Sequence, residues 1–289
     1  RRNLCMAPAP APSPPTGGRG VMPAPRLEPM DGAETFTHGN MNAAVVRIGD
    51  RVHRTAGPQT ATVHRLLTHV RAAGVGWAPE PHGFDEAGRE VLDFIPGDVV
   101  HALPPWLFDE QVLVAVGRAL REWHDATASF AHRPDDVWWQ GAIAPVEVVC
   151  HVDFAPYNHV FRDGAWVGAI DYDLCTPGPR VWDLAYTAYR YVPLTPHVDD
   201  DVPDGDSWGR STFSQAEQRR RLALFADAYE ATGDGPMRAP GVREILAWAP
   251  RRLDAMADWC ASQESEALRR NGVMYRAHAR WVESGPLAH

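Results

Sequence analysis

The stretch from Val146 to Asp173 constrains this 289-residue chain more than any other. Val146-Glu-Val-Val-Cys150 is a short apolar run of the kind that forms a buried strand. It runs into His151-Val-Asp153-Phe-Ala-Pro-Tyr-Asn158, where Pro156 fixes its own φ and restricts Ala155 before it, so the loop is stiff. Two more apolar runs, His159-Val-Phe161 and Trp166-Val-Gly-Ala-Ile170, flank Arg162-Asp-Gly-Ala165, and an Asp-Gly pair in that setting predicts a β-hairpin. Such a hairpin folds the chain back on itself. Asp171, thirteen residues after Asn158, then becomes its neighbour in space.

The spacing of Asp153, Asn158 and Asp171 resembles the catalytic and metal loops of kinases, and the opening His-x-Asp resembles the aminoglycoside phosphotransferase and choline kinase-like phosphotransferase family. The resemblance implies an α+β, bilobal protein kinase-like fold, with a small β-rich N-terminal lobe and a larger helical C-terminal lobe. It implies transfer of a γ-phosphoryl group from ATP or GTP to a hydroxyl of a small molecule. Asp153 would orient and deprotonate the hydroxyl, while Asn158 and Asp171 would hold Mg2+ on the phosphates. An aminoglycoside-type antibiotic is the leading acceptor class, with choline, sugar amines and amino alcohols open. His151 is expected to pack under the loop. Asp173 is either a second carboxylate near the metal or a solvated loop acid. Asp183, in Pro177-Gly-Pro-Arg-Val-Trp-Asp183-Leu-Ala-Tyr186, resembles a buried acid that props the catalytic loop through its backbone amides. Its other reading is a first-turn acid favoured by the helix dipole.

The phosphate side departs from the family pattern. His38-Gly39-Asn40-Met-Asn42 stands in the place of the kinase glycine-rich loop but holds a single glycine. Backbone amides around Gly39 and Asn40 are the candidates for phosphate contact, a bare hairpin turn being the alternative. The chain has no lysine, and all 28 of its basic residues are arginine. Arg54 therefore stands where the phosphate-pairing lysine of the third strand is expected. Arginine can bind phosphate bidentately, but the exchange is not conservative. The alternative is a surface arginine on an edge strand. The helix expected over residues 60–73 contains no Asp or Glu, so it cannot supply the usual ion pair, and His64 or Thr60 would have to orient Arg54. Phe94-Ile95-Pro-Gly97 would be the hinge, with backbone groups of Phe94 and Ile95 at the adenine.

Composition marks a Pro/Ala-rich disordered tail over 1–30, and the resemblance implies an N-terminal nucleotide-binding lobe over 31–97 and a C-terminal catalytic and substrate-binding lobe over 98–289. The chain does not open on methionine, and Met22 or Met30 is a candidate start. Strands are expected at 44–48, 51–54, 81–85 and 89–95. Helices are expected at 109–127 with Asp109 as N-cap, from a Ser214-x-x-Glu217 capping box to Gly233, and over about 241–261 and 263–282. No apolar run is long enough for a membrane helix. A net charge of −9 argues against nucleic acid and is compatible with a cationic small-molecule substrate. The acidic run Asp199-Asp-Asp201, Asp204 and Asp206 would attract such a substrate, or is a solvated connection. Trp138 and Trp139 either wall the pocket or pack in the core. Four scattered cysteines read as reduced thiols of a cytoplasmic protein. Two rival readings stand beside the kinase: a non-catalytic nucleotide-binding pseudokinase or immunity protein on the same fold, and a metal-dependent hydrolase using His151. The hydrolase lacks a second histidine at ligand spacing.

Overall fold

The computed structural model describes residues 33–36, 45–100, 102–196, 213–231 and 238–288. The tail over 1–30, Gly39, Asn40, the acidic run from Asp199 to Asp206 and Gly233 lie outside the described residues. The N-terminal part is an antiparallel five-stranded sheet built from β1 (Ala33–Phe36), β2 (Val45–Ile48), β3 (Arg51–Arg54), β4 (Pro81–Phe84) and β5 (Glu90–Asp93), in the order β1-β2-β3-β5-β4. Helix α1 (Thr60–Ala72) connects β3 to β4. Its apolar residues recur at helical spacing, so Val63, Leu66, Leu67 and Val70 form one buried face. Burying each such leucine stabilises the fold by about 1.5–3 kcal/mol. The strand order corrects one expectation. β3 lies between β2 and β5, so Arg54 is on an interior strand and is itself buried.

Past the hinge, β6 (Asp98–Val99) pairs with β8 (His159–Arg162), which forms a hairpin with β9 (Ala165–Ala169); β7 (Val148–Cys150) pairs with β10 (Thr176–Gly178). Asp163 and Gly164 both adopt positive φ, +52° and +75°. That is the two-residue turn an Asp-Gly pair favours, because its twist matches that of the flanking strands. The helical part comprises α2 (Glu110–Thr127), α3 (Arg180–Tyr191), α4 (Gln215–Ala231), α5 (Val242–Ala261) and α6 (Glu266–Glu283). The apolar face of α2 is buried, and at its far end the Trp123 indole donates to the Val149 carbonyl at 2.9 Å, tying the helix to β7. Two expected caps form incompletely. Asp109 takes the N-cap position of α2 without a side-chain hydrogen bond. Ser214 accepts from the Glu217 amide at 3.3 Å, but the Glu217 carboxylate turns forward to Arg220, a charged donor, instead of closing the box. Trp138 packs edge-on against Phe130 and His132, whereas Trp139 is exposed.

The sheet and the β8–β9 hairpin are joined through a close backbone approach. Gly97 has φ +151°, and a Cβ there would sit 2.5 Å from the Phe161 carbonyl oxygen and 2.6 Å from the Val160 side chain. Gly97→Ala should therefore cost about 1–3 kcal/mol through overpacking and backbone strain. Chemical denaturation measures it, and an unchanged midpoint would mean that the hinge is not held against β8.

Candidate active site

The catalytic loop is strained at one residue and pinned around it. Val152 adopts φ +73°, a left-handed conformation that a β-branched side chain resists. Asp183, fully buried in the first turn of α3, accepts the His151 amide on Oδ2 at 2.7 Å and the Val152 amide on Oδ1 at 2.8 Å. From the opposite side the Arg252 guanidinium of α5 donates to the Val152 carbonyl at 2.8 Å. The His124 ring completes the pin, with Nε2 3.2 Å from Asp183 Oδ2 and Nδ1 2.8 Å from the Tyr229 hydroxyl. A carboxylate only accepts, so Nε2 carries the proton and Nδ1 accepts from Tyr229. Burial pushes His124 below its ordinary pKa against the pull of Asp183. Burial alone would raise Asp183, but the hydrogen bonds from His124 and the His151 amide hold its pKa low. The acid thus supports the loop through backbone amides, as its resemblance implies.

Asp153 and Asn158 bond to each other on this loop, and the hairpin brings Asp171 beside it. Asn158 Nδ2 donates to Asp153 Oδ2 at 2.9 Å and to the Asp153 carbonyl at 3.0 Å. The Tyr157 hydroxyl donates to Asp153 Oδ1 at 2.6 Å. Burial pushes the Asp153 pKa up, and the Tyr157 hydrogen bond opposes it. The hairpin returns as expected, with the Ile170 amide donating to the Asn158 carbonyl at 2.8 Å, so Asp171 follows directly beside Asn158. Asp171 has φ +64°, and its carboxylate is partly exposed. The His151 ring is buried against Tyr172, Phe154 and Trp123 with neither nitrogen in an aligned hydrogen bond, although the Ile170 backbone lies within polar reach. Its role is packing.

Arg54 enters from the sheet and meets three carboxylates. Nη1 donates to Asp171 at 3.2 Å, Nη2 donates to Asp173 at 2.7 Å, and Nε lies 2.7 Å from Glu90 Oε1 as an ion pair without hydrogen-bond alignment. Asp173 is therefore a partner of Arg54 and not a solvated loop acid. Burial alone would lower the Arg54 pKa, but Asp173, Glu90 and Asp171 raise it. The acid missing from α1 is supplied by β5, where Glu90 stands directly across from Arg54 in the β3–β5 register. His64 of α1 holds the other Glu90 oxygen at 3.1 Å. His64 thus acts on Arg54 through Glu90, and Thr60 instead accepts from the Gly57 amide. Sequence reasoning missed Glu90. The available signal was an acid set among buried positions on a strand that pairs with Arg54. At the hinge, the Phe94 amide already donates to the Asp50 carbonyl at 2.9 Å.

Arg54→Ala would leave the buried Glu90 carboxylate facing only His64. Breaking such a buried pair should cost about 3–5 kcal/mol in a denaturation experiment, a figure that retained stability would contradict. A second expectation concerns pH. Burial lowers the pKa of His124, His151, His159 and His278, the last to about 4. In the unfolded chain these groups titrate near 6.5, so as pH falls below that value the unfolded state binds protons that the folded state refuses. Stability should fall with decreasing pH; the raised Asp153 works the other way, one group against four. Urea midpoints at about pH 7.5 and about pH 5.5 check this, and equal midpoints would contradict it.

Comparisons with known proteins converge on the same segment. The profile described as the phosphotransferase enzyme family matches residues 137–213, which carry Asp153, Asn158, Asp171 and Asp183. A trifolitoxin immunity protein from Rhizobium leguminosarum bv. trifolii is 37% identical over 197 residues, 66% of this chain and 72% of that protein. Choline kinase from Cryptosporidium parvum Iowa II superposes with a TM-score of 0.60 at 12% identity, over 87% of this chain and 88% of that one. The ethanolamine kinase of Plasmodium vivax gives 0.58 at 12% identity, over 88% and 83%. The sheet, the helical lobe and the pinned loop between them are those of the protein kinase-like fold, and the chain belongs to the phosphotransferase enzyme family.

Proposed function

We propose that this chain transfers the γ-phosphoryl group of a magnesium nucleotide, ATP or GTP, to a hydroxyl of a small molecule. The observation that carries the reading is the convergence of Asp153, Asn158 and Asp171 on one loop-and-hairpin unit, with Arg54 against Asp171. Asp153, held through both carboxylate oxygens, takes the proton of the acceptor hydroxyl. The freed oxygen forms a bond to the γ-phosphorus as the bond to the β-phosphate oxygen breaks, and the nucleoside diphosphate leaves. Asn158 spends its amide nitrogen on Asp153, which leaves its Oδ1 for a cation, and Asp171 offers a partly exposed carboxylate. Oxygen donors of this kind suit magnesium, which when bound screens charge on the phosphates. We assign the phosphate contact from the sheet side to Arg54, which in this structure is engaged with Glu90, Asp171 and Asp173. The hinge groups left for adenine are those after the Phe94 amide, chiefly at Ile95.

The acceptor class we favour is an aminoglycoside-type antibiotic or a related aminosugar or amino alcohol, and a cationic acceptor suits a chain of net charge −9. Among the described residues, three buried free thiols fit a reducing, cytoplasmic setting. No helix among the described residues is long and apolar enough to cross a membrane. A second reading has observations of its own. The relative described as an immunity protein, and arginine in place of lysine, suit a non-catalytic nucleotide-binding or immunity protein on this fold. A toxin bearing a hydroxyl could equally be the acceptor of an active enzyme.

The experiment is phosphotransfer from MgATP and MgGTP to a panel holding choline, ethanolamine, aminopropanol, kanamycin and glycerol. Asp153→Asn keeps shape and hydrogen bonding but removes the charge, so it should cut transfer by about 10²–10⁴-fold, the usual weight of a positioned base. Nucleotide affinity should stay at the parental value. Parental turnover in Asp153→Asn would remove Asp153 as base, and a parent that binds nucleotide but transfers to nothing would favour the non-catalytic reading.

A further inference from the structure

Behind Asp153 lies a buried polar chain that the reaction scheme above does not use. Tyr157, whose hydroxyl donates to Asp153 Oδ1, has that same oxygen 2.9 Å from the Tyr186 hydroxyl on α3. Arg190, one helical turn further along α3, donates to Tyr186 from Nε at 3.2 Å and from Nη2 at 2.9 Å. Nη2 also donates to the Tyr275 hydroxyl of α6, which lies 3.5 Å from that of Tyr186. The guanidinium carbon sits 5.2–5.6 Å from the ring centroids of Tyr157, Tyr186, Tyr189 and Tyr275. The arginine is thus enclosed by aromatic faces, a setting that favours its charged form.

The ends of this chain fix its direction. Arginine can only donate and a carboxylate can only accept. Tyr186 accepts from Arg190 and so gives its proton to Tyr157, and Tyr157 gives its own to Asp153. Every hydroxyl is polarised toward the carboxylate, and hydrogen bonds aligned in this way strengthen one another. The chain also has a geometric effect. Asn158 holds Oδ2, and its loop neighbour Tyr157 holds Oδ1 while its hydroxyl is anchored to Tyr186 of α3, so the plane of the carboxylate is set by the loop and by α3 together.

We propose that Tyr157 is a positioning residue for the phosphotransfer base, locking the Asp153 carboxylate through a directed chain that begins at Arg190 and passes through Tyr186. The inference rests on the phosphotransferase reading above. It assigns to Tyr157 no contact with the acceptor. Tyr157→Phe removes the hydroxyl alone and keeps the ring over Arg190. Tyr189 supplies the control, since its hydroxyl lies 2.9 Å from His278 Nδ1 of α6 in the same aromatic cluster.

The test measures steady-state kinetics with MgATP and the best acceptor of the panel, together with melting temperatures. Loss of a hydrogen bond to a charged group should lower kcat of Tyr157→Phe on the order of 10- to 100-fold. KM for MgATP should not change, and Tyr189→Phe should keep the parental kcat. Tyr186→Phe, which cuts the chain one link back, should lower kcat in the same direction by less, and it decides the matter should Tyr157→Phe fold poorly. Parental kcat in both Tyr157→Phe and Tyr186→Phe overturns the proposal. So does an equal loss in Tyr157→Phe and Tyr189→Phe that tracks their melting temperatures, which would mark a packing role. A parent with no turnover on any acceptor removes the phosphotransferase reading and this role with it, whereas a working parent beside an unaffected Tyr157→Phe removes this role alone.

Discussion

The catalytic loop depends on one carboxylate that does no chemistry. Asp183 accepts two consecutive backbone amides and thereby holds Val152 in a conformation that its side chain disfavours. The left-handed residue turns the chain sharply between the strand that ends at Cys150 and Asp153. With an ordinary extended residue there, Asp153 would continue along the strand direction and would not meet Asn158. Because Asp183 belongs to α3, Arg252 to α5 and His124 to α2, the geometry of the loop is set by the packing of three helices. A substitution that loosens that packing is expected to act on the base before it unfolds the lobe.

The charge balance on the other side of the site follows from the arginine-only composition. An arginine on β3 presents three nitrogens, and the fold surrounds them with Glu90, Asp171 and Asp173. Three carboxylates against one guanidinium leave this corner of the site net negative. The acid partner sits on β5 beside β3, whereas the helix supplies only a histidine behind it. The position of Arg54 is therefore set jointly by Glu90 on the neighbouring strand and by Asp171 and Asp173 beyond the hairpin, with His64 of α1 holding Glu90 from behind.

What could be read from the sequence was local. Asp153, Asn158 and Asp171 fall within one strand-loop-hairpin unit, and the Asp163-Gly164 turn fixes how that unit closes, so their meeting required no knowledge of the rest of the chain. The alternative of an edge-strand surface residue stayed open for Arg54 because its strand neighbour β5 pairs with β3 from beyond α1 and β4, and pairing across that distance leaves no trace in the pattern around residue 54. Glu90 was missed for the same reason. The tyrosine chain draws on residues 157, 186, 190 and 275, three separate segments. Nothing in the local pattern around any one of these residues joins the three segments.

The central claim is that the loop and the sheet together hold a metal nucleotide, with Asp171 as the carboxylate shared between Arg54 and the cation. Calorimetric titration of ATP in magnesium and in EDTA, for the parent and for Asp171→Asn, tests it most directly. The account predicts that the parent binds ATP more tightly with magnesium, and that Asp171→Asn loses this metal dependence while remaining folded. Nucleotide binding by the parent that is indifferent to magnesium, or a metal dependence that survives in Asp171→Asn, would contradict it.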